Sequence, residues 1–318
     1  MKLFSLLFCL LLFVSPVQAE EKLSIIATNF PCYDLARTIA GSSTDVHMLL
    51  SPGSESHSYE PTPQDIIAIQ NCDLFLYVGG ESDTWVDSIL LSMGSDAPRS
   101  FRLSDCVTLL TSEETASMED HHHHDHEEAC DDPEHMHEET HIHDMDEHVW
   151  TSPKNVIMMA RSLGKMLGEL HPAQSAAYQA AVSSYTEELQ ALDQEFENIV
   201  ANAKRKLLVF GDRFPFRYFA DAYGLEYDAA FPGCSESSEP SVRTIISLVD
   251  TVRTENIPVI CYIEFSSRRT ADILAEETGA KPLLFHSCHN VSTAEIEAGA
   301  TYLSLMWQNT EVLKEALN

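Results

Sequence analysis

Positive charge is what this chain has least of. Only 19 Lys and Arg stand against 50 Asp and Glu in 318 residues, a formal net charge of -31. Nucleic acid is thereby excluded as a partner, because its phosphates demand basic patches, while cationic ligands are favoured by the protein's field. Long apolar runs are also scarce: beyond the N-terminal stretch, no segment is long and apolar enough to cross a bilayer. The chain has no H-E-x-x-H pair and no serine nucleophile elbow, which removes two common hydrolase signatures. From Ala173 to Phe210 it has neither Gly nor Pro, so nothing there marks a helix break.

The N-terminus reads as an export signal over residues 1–19. Lys2 supplies the positive end, "LFSLLFCLLLFV" the apolar core, and "VQA" the small residues before cleavage after Ala19. Cys9 follows Phe8, so no lipobox is present. The mature protein is expected to be soluble and exported, periplasmic or otherwise. Loss of Cys9 leaves Cys32, Cys72, Cys106, Cys130, Cys234, Cys261 and Cys288, an odd number. Export permits disulfides, but at least one thiol stays outside them.

The remaining chain alternates strand and helix twice. "KLSIIATN", "DVHMLL" and "DLFLYVGG" read as strands separated by the helices "PCYDLARTIAG" and "PTPQDIIAIQN", with helical "ESDTWVDSILLSMG" following. The second half repeats this with strands "KLLVFGD", "LEYDAAF", "PVICYIE" and "KPLLFHS", and "AEIEAGATYLSLMWQNTEVLKEALN" closes the chain as one helix. The expected fold is therefore α/β with two parallel-sheet lobes. In between, Val182, Tyr185, Leu189, Leu192, Phe196 and Ile199 follow steps of three and four, the stripe of a single helix. About thirty helical residues extend roughly 45 Å, enough to brace both lobes. The expected boundaries are an N-terminal lobe at 20–172, a rigid linking helix at 173–203 and a C-terminal lobe at 204–318.

Ten of the fifteen histidines fall between residues 119 and 150, interleaved with Asp and Glu. A purification tag is terminal and uninterrupted; this tract is internal and acidic. Its composition cannot bury enough apolar surface to fold, so a disordered loop is expected at about 112–147. His121, His122, His123, His124, His126, His135, His137, His141 and His143 are expected to form an accessory metal-capturing loop, the alternative being a merely solvated one.

Ligands of open parallel sheets bind beyond the carboxyl ends of the strands. His57 follows "DVHMLL", His286 ends "KPLLFHS", Glu264 ends "PVICYIE", Asp212 and Arg213 follow "KLLVF", and His148 closes the tract. These groups converge on one cleft, whereas His47 inside a strand and His171 at a helix end read as structural. Imidazoles with few carboxylates favour Zn(II) over Mg(II), Ca(II) or Mn(II). Affinity is expected to fall as pH drops through the imidazole value of about 6.5.

"HSYEPTPQD", "EHVWTSPKN", "FRYFADAYGL", "AEETGAKPLL" and "TYLSLMWQN", in this order, resemble the solute-binding proteins of zinc and manganese ABC transporters across residues 22 to 318. The resemblance implies two α/β lobes joined by a long rigid helix, a metal ion between them, and delivery of that ion to a membrane permease by a monomer. His57 and His148 match the family's ligands from the first lobe. The third family ligand falls on Arg213, which cannot coordinate a cation; the fourth falls on or near His286, with His289 as the alternative. The expected site is thus His57, His148 and His286, with water or a carboxylate completing four. Glu264 is either that fourth ligand or a hydrogen-bond partner behind a ligand imidazole, Asp212 stands next in line, and Arg213 is an ion-pair partner to a strand-end carboxylate. The runner-up function is an exported zinc-dependent hydrolase with an open fourth position.

Cys234 and Cys288 each follow a strand of the second lobe, which places them within expected disulfide reach. Cys288 as a thiolate ligand, or as a buried free thiol, are the alternatives.

Overall fold

The computed structural model describes residues 22–110, 145–231 and 239–318. The export signal, the nine accessory histidines and Cys234 lie outside the described residues. No helix among the described residues is long and apolar enough to cross a membrane.

The first half runs β1 (Leu23–Ala27), α1 (Phe30–Ala40), β2 (Thr44–Met48), α2 (Pro63–Gln70), β3 (Leu74–Tyr77), α3 (Thr84–Met93), β4 (Arg99–Arg102) and α4 (Pro153–Leu170). Then comes α5 (Ser175–Ala201), followed by β5 (Leu207–Phe210), α6 (Arg217–Tyr223), β6 (Glu226–Ala229), α7 (Val242–Thr254), β7 (Val259–Tyr262), α8 (Arg269–Thr278), β8 (Lys281–Leu284), α9 (Thr293–Glu297) and α10 (Tyr302–Leu317). Each half holds one four-stranded sheet. Their orders are β2-β1-β3-β4 and β6-β5-β7-β8, and every pairing is parallel. The two halves thus share one topology without sharing a sequence.

Two local features depart from the sequence reading. β4 was not expected: of its residues "RSFR", only Phe101 is buried, so periodicity gives almost no signal. The closing helix is two helices. Gly299 takes a left-handed φ of +78°, and a fresh capping box between Thr301 and Ser304 starts α10.

α5 buries Val182, Tyr185, Leu189, Leu192, Phe196 and Ile199 along its length. Its 27 residues extend about 40 Å. Its stripe belongs to a single hydrophobic cluster that takes in Ile25 and Leu76 of the first sheet and Phe210 and Cys261 of the second. α4 lies close against it, because a Cβ at Gly164 would collide with Val182. Polar ties reinforce the shared core: Tyr302 donates its hydroxyl to Trp150 O (2.8 Å) and its backbone N–H to Asp34 (2.9 Å), and Arg37 donates to Ala300 O. Opening the halves would have to expose this common core, so only limited hinge motion is built in.

Candidate metal centre

The carboxyl ends of both sheets face one cleft, and three loops bring side chains into it. The first is the connection from β2 to α2. It is anchored to the second half, since Asn290 Nδ2 donates to Ser51 O and Ser54 O, both at 2.8 Å, and Gly53 N donates to Val291 O at 2.8 Å. His57 sits on this anchored loop. Its Nδ1 lies 3.0 Å from Ser82 Oγ.

The second is the short turn Val149–Thr151 before α4. Thr151 Oγ1 donates to His148 O (2.9 Å) and Asn155 Nδ2 to Val149 O (3.0 Å), which fixes the turn. His148 projects from its start, and Asp146 accepts from both its backbone N–H (2.8 Å) and its ring Nδ1 (2.9 Å). A carboxylate on Nδ1 sets the tautomer and puts the ring's lone pair on Nε2. Glu147, its neighbour, accepts from Ser82 N (2.7 Å) and Ser82 Oγ (2.5 Å). Gly80 makes that approach feasible: its φ is +108°, and a Cβ there would lie 2.5 Å from Glu147 Cβ.

The third is the loop after β8, where the structure brings a different histidine to the cleft from the one expected. His57, Glu147, His148 and His289 offer ligand atoms all within 4.8 Å of one another. His286 is not in this group. Its backbone N–H donates to Asn309 Oδ1 and its carbonyl accepts from Asn309 Nδ2, each at 2.8 Å. Its ring Nδ1 accepts from Cys288 N (2.9 Å), and its Nε2 faces Glu295 at 3.6 Å. Cys288 between them adopts a left-handed φ of +60°. The reversal turns His289 towards the cleft while His286 stays buried against α9 and α10. Sequence spacing alone does not reveal that turn.

Electrostatics separates the two histidines as well. Burial, with His148 and Arg213 nearby, pulls the His57 pKa down to about 3. Burial, with His148, His57 and Arg213, pulls His289 well below the imidazole range. Both rings are therefore neutral, the form that binds a metal. Burial would lower His286 too, but the carboxylates of Glu264 and Glu295 outweigh it and raise its pKa. Its Nδ1 is satisfied by Cys288 N, while its buried Nε2 faces Glu295 without a hydrogen bond among the described residues.

Glu264 lies outside the group of four. Its oxygens accept from Ser287 N (2.8 Å), Ser287 Oγ (2.5 Å) and His289 N (3.2 Å), so it braces the loop that carries His289. Asp212 is buried and holds Arg213 N (2.8 Å) and Ile263 N (3.1 Å). Arg213 pairs with a carboxylate of the other half, Glu55, at 3.3 Å. Cys288 has no disulfide partner among the described residues, and burial pushes its thiol pKa well up, against a thiolate ligand. His47 is exposed on β2, and His171 Nδ1 stands 3.2 Å from the Tyr178 hydroxyl, both away from the cleft. Glu147 was missed by the sequence reading, although it directly precedes His148.

Tetrahedral zinc at the usual bond length places its donors about 3.3 Å apart. The group of four, within 4.8 Å of one another, has to draw together to reach that spacing.

Residues 25–316 match the family model described as zinc-uptake complex component A, periplasmic, or ZnuA. The chain is 30% identical over 299 residues to the zinc-binding lipoprotein AdcA of Streptococcus pneumoniae, covering 94% of this chain and 56% of AdcA. It is 32% identical over 297 residues to the high-affinity zinc uptake system protein ZnuA of Bacillus subtilis, covering 93% of this chain and 88% of that one. The chain thus spans about half the length of its AdcA relatives. Among solved structures, the Zn(II)-bound ZnuA-like domain of S. pneumoniae AdcA superposes with a TM-score of 0.75 at 26% identity, covering 93% of this chain and 99% of the domain.

Proposed function

Because the chain belongs to the ZnuA family of zinc-uptake proteins, we propose that it is an exported receptor that captures Zn(II) between its lobes and hands it to the membrane permease of an ABC transporter. The observation that carries this reading is the convergence of three imidazoles and a carboxylate at the joint carboxyl ends of two parallel sheets. His57, His148, His289 and Glu147 are the ligand set, with His289 in the role that the sequence assigned to His286. Three nitrogen donors and one oxygen suit Zn(II) better than Mn(II), whose sites are richer in oxygen.

The chemistry needed is capture without turnover. Asp146 orients His148, Ser82 holds Glu147 beside His57, and Glu264 holds the loop of His289. Each donor is thus set before the ion arrives, which reduces the ordering cost of binding. Working location is the periplasm or the cell exterior, and the working form is a monomer. The alternative reading, an exported zinc-dependent hydrolase, draws no support from the family or from the zinc-bound neighbour. The nine histidines from His121 to His143 act as an accessory capture tract.

Calorimetric titration of the mature chain with Zn(II), under chelator competition, tests the reading. One tight site per chain is expected. A chain without it, or with the same affinity after His57→Ala, His148→Ala and His289→Ala, is not this receptor.

A further inference from the structure

His289 is the member of the group of four that comes from the second half, and the hydrogen bond of its ring runs back across the cleft. Its Nε2 stands 2.7 Å from Ser56 Oγ, and Ser56 directly precedes His57. At His57 and His148 a side-chain oxygen holds Nδ1, from Ser82 and Asp146 respectively. At His289 the engaged nitrogen is the other one, and Nδ1 has no hydrogen-bond partner among the described residues. The contact sits on a fixed frame. Gly53 N donates to Val291 O, Asn290 Nδ2 donates to Ser51 O and Ser54 O, and Ser56 O accepts from Tyr59 N. Ser56 is buried, and His289 is the one partner of its hydroxyl among the described residues. Glu264 holds the backbone N–H of the same histidine from its own half.

We propose that Ser56 is the positioning residue of His289, accepting its Nε2–H so that this ring, unlike those of His57 and His148, takes the ion through Nδ1. This rests on the receptor reading above. A neutral imidazole carries one N–H and one lone pair, on opposite nitrogens. A hydroxyl that accepts from Nε2–H therefore puts the lone pair on Nδ1, where it can meet a metal. An ion on Nδ1 draws charge from the ring and makes Nε2–H a stronger donor, so ion and hydroxyl support each other. An ion on Nε2 would instead displace Ser56 and strand a buried hydroxyl. One loop of the first half thus supplies both a donor, His57, and the residue that aims the donor of the second half.

The test uses the mature chain with isotope-labelled histidine, metal-free and saturated with Zn(II). Proton–nitrogen spectra, with rings assigned by single substitutions, tell a metal-bound ring nitrogen from a protonated one. In the loaded chain, His289 is expected to be metal-bound at Nδ1 with a slowly exchanging proton on Nε2, and His57 and His148 to be metal-bound at Nε2. Ser56→Ala should lower zinc affinity by about tenfold and bring the His289 Nε2 proton into fast exchange. Ser56→Thr, which keeps the hydroxyl, should restore both. His289 bound through Nε2 overturns the proposal and leaves the receptor reading intact. So does Ser56→Ala with unchanged affinity, or with lower affinity while that proton stays protected, which marks loop packing alone. A Ser56→Thr chain that behaves like Ser56→Ala also overturns it. A chain that takes up no Zn(II) overturns the receptor reading and this one with it.

Discussion

Asp146 grips His148 at two points, accepting its backbone N–H at 2.8 Å and its ring Nδ1 at 2.9 Å. The burial of both residues makes this an orienting contact rather than a surface pair. Burial raises the Asp146 pKa, but contact with His148 outweighs that and brings the net value below the usual carboxylate range. Asp146→Asn should keep the shape and weaken the acceptor. A loss of zinc affinity of about ten- to a hundredfold is expected, with the fold retained. Chelator competition beside a thermal melt checks it.

Alanine at His57, His148 or His289 should lower zinc affinity by more than about a hundredfold, since each loses a donor rather than its orienting partner. His286→Ala should leave tight binding in place. Its effect falls on stability, because Cys288 N loses its acceptor, a cost of about 1–3 kcal/mol. Titration and melting of the four variants separate ligands from scaffold. Tight binding that vanishes in His286→Ala and survives in His289→Ala would reverse the assignment.

The pH response follows from the depressed imidazoles. Three histidines at the ordinary value would lose roughly a thousandfold in affinity between pH 7.5 and 5.5. With His57 near 3 and His289 well down, protons compete less, and a loss of no more than tens of fold is expected. The same shift acts on the metal-free protein. The unfolded chain takes up protons at these rings below about pH 6.5 and the folded one does not, so their contribution favours unfolding as pH falls from 6.5 towards 3. His286, raised, opposes this, because it favours the folded state on the acid side and loses that effect as pH rises through its own value. Melting temperatures of the wild type and His57→Ala against pH give the sign: the variant should lose less on acidification.

Gly80→Ala should damage the site from behind. The added Cβ would meet Glu147 Cβ at 2.5 Å, on a backbone with φ +108°. About 1–3 kcal/mol of stability should be lost, together with part of the zinc affinity, as Glu147 is pushed from Ser82. A melt and a titration unchanged from wild type would show that the 79–80 turn can give way.

Deleting residues 119–143 should leave the tight site untouched and remove weaker zinc binding. The ends of that region are already joined: Asp146 N donates to Leu110 O at 2.9 Å, and the Tyr218 hydroxyl accepts from Leu110 N and donates to Asp146 O. Shortening the connection therefore costs little. Loss of the tight phase in calorimetry would place a donor in the tract.

Legibility in the sequence tracked how local the governing physics was. The alternating strands and the long helix α5 were readable because apolar period and missing breakers act within a few residues. β4 was not, since an edge strand with one buried residue in four carries no period. The α9–α10 break was signalled by Gly299 and by two Ser/Thr caps, at Ser292 and Thr301, that the long apolar pattern overrode. The convergence of His57 and His148 was legible from their strand-end positions. That His289 rather than His286 joins the group of four depends on one left-handed residue, Cys288, and on contacts with Asn309 from far along the chain, which local pattern does not carry. Glu147 was hidden among many acidic neighbours, and its close approach to Gly80 depends on the fold.

His57, Glu147 and His148 all come from the first half of the chain, and His289 alone from the second. The cleft is thus lopsided in its grip. On the proposed ligand set, a partner that loosens the His289 loop alone would free one donor without parting the shared core, and the ion would keep the three donors of the first half. Unloading would then become a question of loosening one β2–α2 loop and one turn before α4, local movements at the rim of the cleft that leave the common core closed.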